Sequence, residues 1–174
     1  MTGVAESATK LTSDDIRALL ESVPDPEIPV LSVMDLGIVR DITITSRGTE
    51  VSVAPTYTGC PATEVIEQMI VAKLEQNGVP GVTIRRVLSP PWTTDWLSEA
   101  GRRKLRQYGI APPALVPSVG QAGKRSLLGP RTVVRCPRCA TGHTTRVSEF
   151  GSTPCKASYK CNECLEPFEY FKCI

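Results

Sequence analysis

The sequence predicts an α+β chain in two parts, a small domain of order αββαβ(α) followed by a short β-rich tail held together by cysteines. Three observations lead there. Apolar residues recur with a 3.6-residue period in some segments of residues 12–108 and with period two in others. The cysteines are unevenly placed: Cys60 lies in the first 100 residues, whereas Cys136, Cys139, Cys155, Cys161, Cys164 and Cys173 fall in the last 39. Charge divides in the same way, with 7 Lys+Arg against 14 Asp+Glu in residues 1–100 and 13 against 4 thereafter, beneath a formal net charge of only +2. These shifts imply a domain over residues 1–108, a linker over 109–131 and a tail over 132–174.

Residues 12–23 predict a helix. Thr12 or Ser13 can cap it, Asp14 and Asp15 suit its positive end, and Ile16, Leu19, Leu20 and Val23 form one apolar stripe. Pro24 and Pro26 stop it, and the prolines of the following segment predict an ordered loop to Gly37. Ile38–Thr45 and Glu50–Thr56 alternate apolar and polar residues around Ser46-Arg47-Gly48, the pattern of a β-hairpin. A second helix begins at Pro61, carries Val65, Ile66, Met69, Ile70 and Leu74 at helical spacing, and closes at Asn77-Gly78. Val82–Leu88 predicts a third strand. After Pro90 and Pro91, Thr93 or Thr94 can cap a last helix with Trp96, Leu97, Leu105 and Tyr108 on its buried side. Four Gly and four Pro in residues 109–131 mark the linker.

Composition narrows the function classes. With 174 residues, 41% hydrophobic and 22% charged, the chain is of ordinary globular make-up. No run approaches the ~18 apolar residues of a spanning helix, and Met1–Lys10 lacks the basic and apolar regions of a signal peptide. A cytoplasmic protein without a membrane partner is expected. In a reducing compartment its seven cysteines are better read as metal ligands or reactive thiols than as a disulfide framework.

The tail is too short to be stable on an apolar core alone. Cys136-Pro-Arg-Cys139 and Cys161-Asn-Glu-Cys164 are two CxxC pairs at nearly the separation of a zinc ribbon, in which each turn directs two thiolates at one ion. Four soft ligands with no open position favour structural zinc; a rubredoxin-like iron and a redox dithiol are the other chemistries of this pattern. Thr144–Val147 and Phe168–Lys172 fit its strands. Cys155 and Cys173 each read as a small partly buried hydrophobe or an idle thiol; the other reading of Cys155 is an alternative or second metal ligand, whose neighbour Lys156 would favour the thiolate. His143 is expected in a strand or turn, since four cysteines already fill the coordination sphere.

Cys60 stands between Gly59 and Pro61, where a strand ends and a helix begins. Unpaired N–H groups and the helix dipole at such a place favour a thiolate, able to bind metal or attack an electrophile. The alternative is a buried cysteine serving as a helix cap.

The strings Asp25-Pro-Glu-Ile-Pro29, Asp35-Leu-Gly-Ile-Val39 and Thr56-Tyr-Thr-Gly-Cys-Pro61, in that order, resemble the iron-sulfur assembly family that includes bacterial SufT-like proteins and eukaryotic cytosolic targeting factors. Pro91-Trp-Thr-Thr-Asp-Trp96, Gly109-Ile-Ala-Pro-Pro113, Ser148–Lys156 and Glu166–Lys172 are similar to one branch, the accessory subunits encoded with bacterial phenylacetyl-CoA epoxidase. The resemblance implies an αββαβ-type domain plus a zinc ribbon, acting in maturation of a metalloenzyme without turnover of its own. Cys60 would be the reactive or metal-binding cysteine, transiently holding iron or an iron-sulfur cluster, with Asp35 and Thr58 beside it. Implied partners are the oxygenase and reductase subunits of the epoxidase, iron-sulfur assembly proteins and a second copy of the chain. Two other classes compete. The basic tail suits a nucleic-acid or docking module, although much of its charge lies in Arg102-Arg-Lys-Leu-Arg106 and its aromatic residues are needed for a core. A thiol enzyme built on Cys60 would have no histidine in its own domain to activate it.

Overall fold

The computed structural model describes residues 11–57, 59–113 and 133–172. Helix α1 (Ser13–Leu20) starts with a capping box: Thr12 accepts from the Asp15 N–H while the Asp15 carboxylate accepts from the Thr12 N–H. Ile16 and Leu20 are fully buried, and Val23 packs beyond the helix end. The hairpin follows as β1 (Val39–Thr45) and β2 (Gly48–Val53), paired antiparallel. A bulge between Val39 and Asp41 explains why Val39 and Ile42, three residues apart, both face the core.

Helix α2 (Ala62–Gln76) crosses over to β3 (Val82–Arg86), which pairs parallel to β2, giving the sheet order β1-β2-β3. Ile66, Ile70 and Leu74 form its buried stripe, each contributing about 1.5–3 kcal/mol of transfer free energy. Val65, expected in that stripe, lies about 100° around the helix from Ile66 and is 44% exposed.

A 3-10 turn (Thr94–Trp96) precedes α3 (Glu99–Tyr108), and the cap is Ser98 rather than Thr93 or Thr94. The Ser98 hydroxyl accepts the Gly101 N–H at 2.8 Å. Leu97 and Leu105 are buried as expected, but Tyr108 ends the last turn 59% exposed. Gly109 adopts the left-handed conformation that ends α3.

Residues 110–111, expected to open the linker, form a strand instead. This β4 (Ile110–Ala111) pairs parallel to β7 (Pro167–Phe171), beside β6 (Lys156–Cys161) and β5 (Thr144–Ser148), in the order β4-β7-β6-β5. Arg102, buried in α3, donates to the carbonyls of Pro113 and Thr94, both at 2.6 Å, and so holds the chain on its way out of β4. The rest of the expected linker, from residue 114, and Cys173 lie outside the described residues.

The two sheets share a core. Ile110, Cys155 and Phe171 belong to the same apolar cluster as α1, α2 and the first sheet. Phe171 meets Trp92 edge-on at 6.1 Å, and the Trp92 indole N–H donates to the Leu36 carbonyl at 2.8 Å. A smaller cluster, including Val134, Ala157, Phe168 and Tyr170, fills the tail itself. Among the described residues no helix is long and apolar enough to cross a membrane.

Candidate functional site

Two turns bring four cysteines together. The first CxxC turn is closed by the Ala140 N–H on the Cys136 carbonyl and by the Cys136 N–H on the Thr141 carbonyl, both at 2.9 Å. The second is closed by the Cys161 N–H on the Glu166 carbonyl, also at 2.9 Å. Ala140 and Leu165, each one residue past a CxxC, adopt positive φ of 61° and 62° and turn the chain back so that both thiols of a pair point inward. The sulfurs of Cys136, Cys139, Cys161 and Cys164 all lie within 4.8 Å of one another.

The separations Cys136–Cys164 and Cys139–Cys161 are 3.7 and 3.6 Å. A tetrahedron with metal–sulfur bonds of ~2.3 Å has edges of about 3.8 Å, so the donor set fits one thiolate-bound zinc. Burial opposes ionisation of Cys161, but backbone N–H groups of Cys164 and Glu163 and the neighbouring thiols outweigh it and lower its pKa. His143 is no part of the cluster; its Nδ1 lies 3.0 Å from Glu163 at the exposed surface.

Cys155 is not an alternative ligand for that cluster. It precedes β6 and Cys161 ends it, so a strand rising ~3.3 Å per residue separates them by about 20 Å. Its sulfur lies 3.0 Å from the Thr153 hydroxyl and 3.6 Å from Glu27 Oε2. Burial pushes its thiol up to about 11, and Glu27 adds to the effect. Lys156, expected to favour the thiolate, is outweighed there: its ammonium is buried on Glu169, at 3.1 Å.

Cys155 and Cys60 instead line one cavity of about 20 Å³ between the two sheets, together with Asp25, Glu27, Thr56 and Phe171. Cys60 is half-buried; its N–H donates to the Tyr57 carbonyl at 3.3 Å and its carbonyl accepts the Thr63 N–H at 3.2 Å, in the first turn of α2. Gly59 before it adopts φ 84°, which a side chain would strain. Asp25 shapes the far wall, accepting the N–H groups of Glu27 and Ile28 at 2.9 and 2.6 Å. Burial raises its pKa, and these two donors only partly offset that. The Tyr57 hydroxyl is buried with no hydrogen-bond partner among the described residues. Its pKa is raised by burial, then by adjacent Cys60, with smaller contributions from Glu27 and Cys155.

Asp35, expected beside Cys60, does not line this cavity. Its carboxylate accepts from the Ser32 N–H and hydroxyl and the Ser98 hydroxyl, each at 3.0 Å, and from Lys104 at 2.6 Å. It ties the loop before β1 to α3. Thr58 lies outside the described residues. The roles of Glu27 and Tyr57 are not legible in the sequence. Each lies within a motif quoted above, but a lone Glu or Tyr in a loop carries no periodicity that would single it out.

Comparison with known proteins matches both halves. Residues 13–88 fit the family model described as iron-sulfur cluster assembly protein, and residues 120–172 fit the PaaD zinc beta ribbon domain. A protein of Escherichia coli K12, named as a putative subunit of 1,2-phenylacetyl-CoA epoxidase, is 51% identical over 160 residues, 92% of each chain. A Porphyromonas gingivalis protein named Fe-S protein maturation auxiliary factor is 36% identical over 96 residues, covering 54% of this chain and 90% of its own. Among solved structures, a DUF59 domain of unknown function from Bacillus anthracis superposes with a TM-score of 0.50 at 27% identity, over 53% of this chain and 89% of that one. The likeness to the E. coli protein extends over nearly the whole of both chains, whereas that to the other two covers about half of this one. The chain therefore belongs to the PaaD family, an iron-sulfur-assembly-type α+β domain joined to a C-terminal zinc ribbon.

Proposed function

We propose that this chain is an accessory maturation factor of a phenylacetyl-CoA epoxidase system, which passes iron or an iron-sulfur cluster to the oxygenase or its reductase and has no turnover of its own. The observation that carries the proposal is Cys60, half-buried beside Gly59 at the start of α2 and lining a cavity with the carboxylates of Asp25 and Glu27. A thiol and carboxylates lining one cavity are donors for a transition metal. Zinc on Cys136, Cys139, Cys161 and Cys164 would staple the ribbon and, having no open position, supply structure rather than chemistry. The name of the 51% identical relative supports the epoxidase system as client, and that of the P. gingivalis relative supports a maturation role. The cytoplasm is the compartment this reading requires.

The competing nucleic-acid reading loses much of its basis. Of the basic residues of α3, Arg102 is buried on two carbonyls, Lys104 is paired with Asp35, and Arg103 lies 3.4 Å from Glu99. A docking role for the ribbon is compatible with maturation and is part of it.

The test is Cys60→Ser in cells that depend on this chain for epoxidase activity. The variant should fold and retain its ribbon zinc, while epoxidase activity falls at least about 10-fold, the loss expected when a metal ligand's surroundings are disrupted. Full activity would remove Cys60 from the mechanism.

A further inference from the structure

We propose that Cys155 of the ribbon and Glu27 complete the Cys60 site, so that the two units together hold a single divalent transition-metal ion between two sulfurs and a carboxylate. This rests on the reading that Cys60 receives metal, and it specifies the cargo.

Three observations carry it. Cys60 and Cys155 come from different units, yet both face one cavity. Glu27 reaches the same space, its Oε2 3.6 Å from the Cys155 sulfur, on a loop whose turn is held by Asp25. Finally, the cavity measures about 20 Å³, room for one water-sized occupant. A single ion fits that space.

Two thiolates and one carboxylate are a mixed soft and hard set suited to Fe(II), Co(II) or Zn(II). Among the described residues only the four ribbon cysteines already stand gathered as a metal-holding group, so an ion here would draw Cys60, Cys155 and Glu27 together as it binds, and three protein donors leave a coordination position open for its release. The arrangement also gives the ribbon a part in the chemistry, since the second sulfur is lost whenever the ribbon separates from the first domain.

Cobalt provides the probe. The full chain, with one zinc in the ribbon, is titrated anaerobically with Co(II) while sulfur-to-cobalt charge-transfer absorption is followed. Zinc stays in the four-thiolate site because such sites favour it over cobalt. Wild type should take one Co(II) beyond the ribbon zinc. Cys60→Ser and Cys155→Ser should each lose roughly half of the charge-transfer intensity, and Glu27→Gln should keep it while binding about 10-fold more weakly. Retention of one zinc per chain checks that each variant is folded, and Glu27→Gln leaves the apolar core intact. Absence of a second metal in wild type, or wild-type titration by Cys155→Ser, overturns the site.

Epoxidase activity in cells separates the two proposals. If Cys60→Ser abolishes activity while Cys155→Ser binds cobalt and supports activity like wild type, the three-donor site fails and the maturation role stands. If both sulfurs bind cobalt yet Cys60→Ser supports full activity, the site stands and the maturation role fails.

Discussion

Replacing Asp35 by Asn should destabilise the fold without disturbing the chemistry at Cys60. The carboxylate is 6% exposed and takes four donors: the Ser32 N–H and hydroxyl, the Ser98 hydroxyl and the Lys104 ammonium. An amide keeps one acceptor oxygen and turns its other end into a donor. Whichever way it is oriented, at least one of these donors meets an N–H instead of an oxygen. A buried donor left unmet costs about 1–3 kcal/mol, and the ion pair with half-exposed Lys104 adds at most about 1 kcal/mol after solvent screening. The total, about 2–4 kcal/mol, corresponds to a fall in Tm of roughly 5–15 °C for a chain of this size.

The pH dependence provides the sharper check. Burial opposes ionisation of Asp35, but Lys104, Ser32 and Ser98 together hold its carboxyl below its ordinary value of 3.8. A depressed carboxyl contributes stability that is complete above the unfolded value and is lost as pH falls through the folded pKa. Asp25, whose pKa burial raises, acts in the opposite sense but is common to both proteins. Urea titrations of wild type and Asp35→Asn between pH 3 and 7 should therefore show a gap that is constant above about pH 5 and narrows below about pH 4. A variant as stable as wild type, or a gap that does not narrow in acid, would refute this account of Asp35.

Two further outcomes are expected. Cys136→Ser should abolish the stoichiometric zinc measured by elemental analysis, and chelation of wild type should release the ribbon's near-native protection from hydrogen exchange, because a structural zinc supplies about 10–16 kcal/mol of apparent binding free energy. Phe171→Ala removes the ring that meets Trp92 and lines the cavity; it should cost about 3–5 kcal/mol by chemical denaturation and speed alkylation of Cys60 severalfold.

Local signals make much of this fold legible. Thr12 and Asp15 form a capping box because the residue types that favour an N-cap stand three apart, and the hairpin alternation and the Ile66, Ile70, Leu74 stripe are periodic patterns any sheet or helix imposes. The two CxxC pairs are equally plain, since a short spacing suffices to aim two thiols at one point. The remainder depends on contacts between distant parts of the chain. Strand β4 is two residues long and has no period to detect. In β6, Lys156 is buried because Glu169 of the neighbouring strand meets it, which its own charge argues against. Asp35 stands in a motif that suggests chemistry, yet its partners Ser98 and Lys104 lie more than 60 residues away and make it a brace. Cys155 beside Glu27 is a contact across 128 residues, and nothing local distinguishes it from any other small buried side chain.

The placement of β4 also decides how the protein can be cut. Because Ile110 and Ala111 follow α3 directly yet cover the open edge of β7, one strand of the ribbon's sheet is encoded with the first domain. A ribbon expressed from residue 114 onward would present β7 with an unpaired row of N–H and C=O groups, ready to join with a neighbour's edge and aggregate. Proteolysis between residues 114 and 132 of the assembled protein has another outcome: the fragments stay together, held by β4 on β7 and by Trp92 on Phe171. Fragment complementation is thus a practical route to labelling either half alone, provided that the break leaves residues 110–113 with the N-terminal piece.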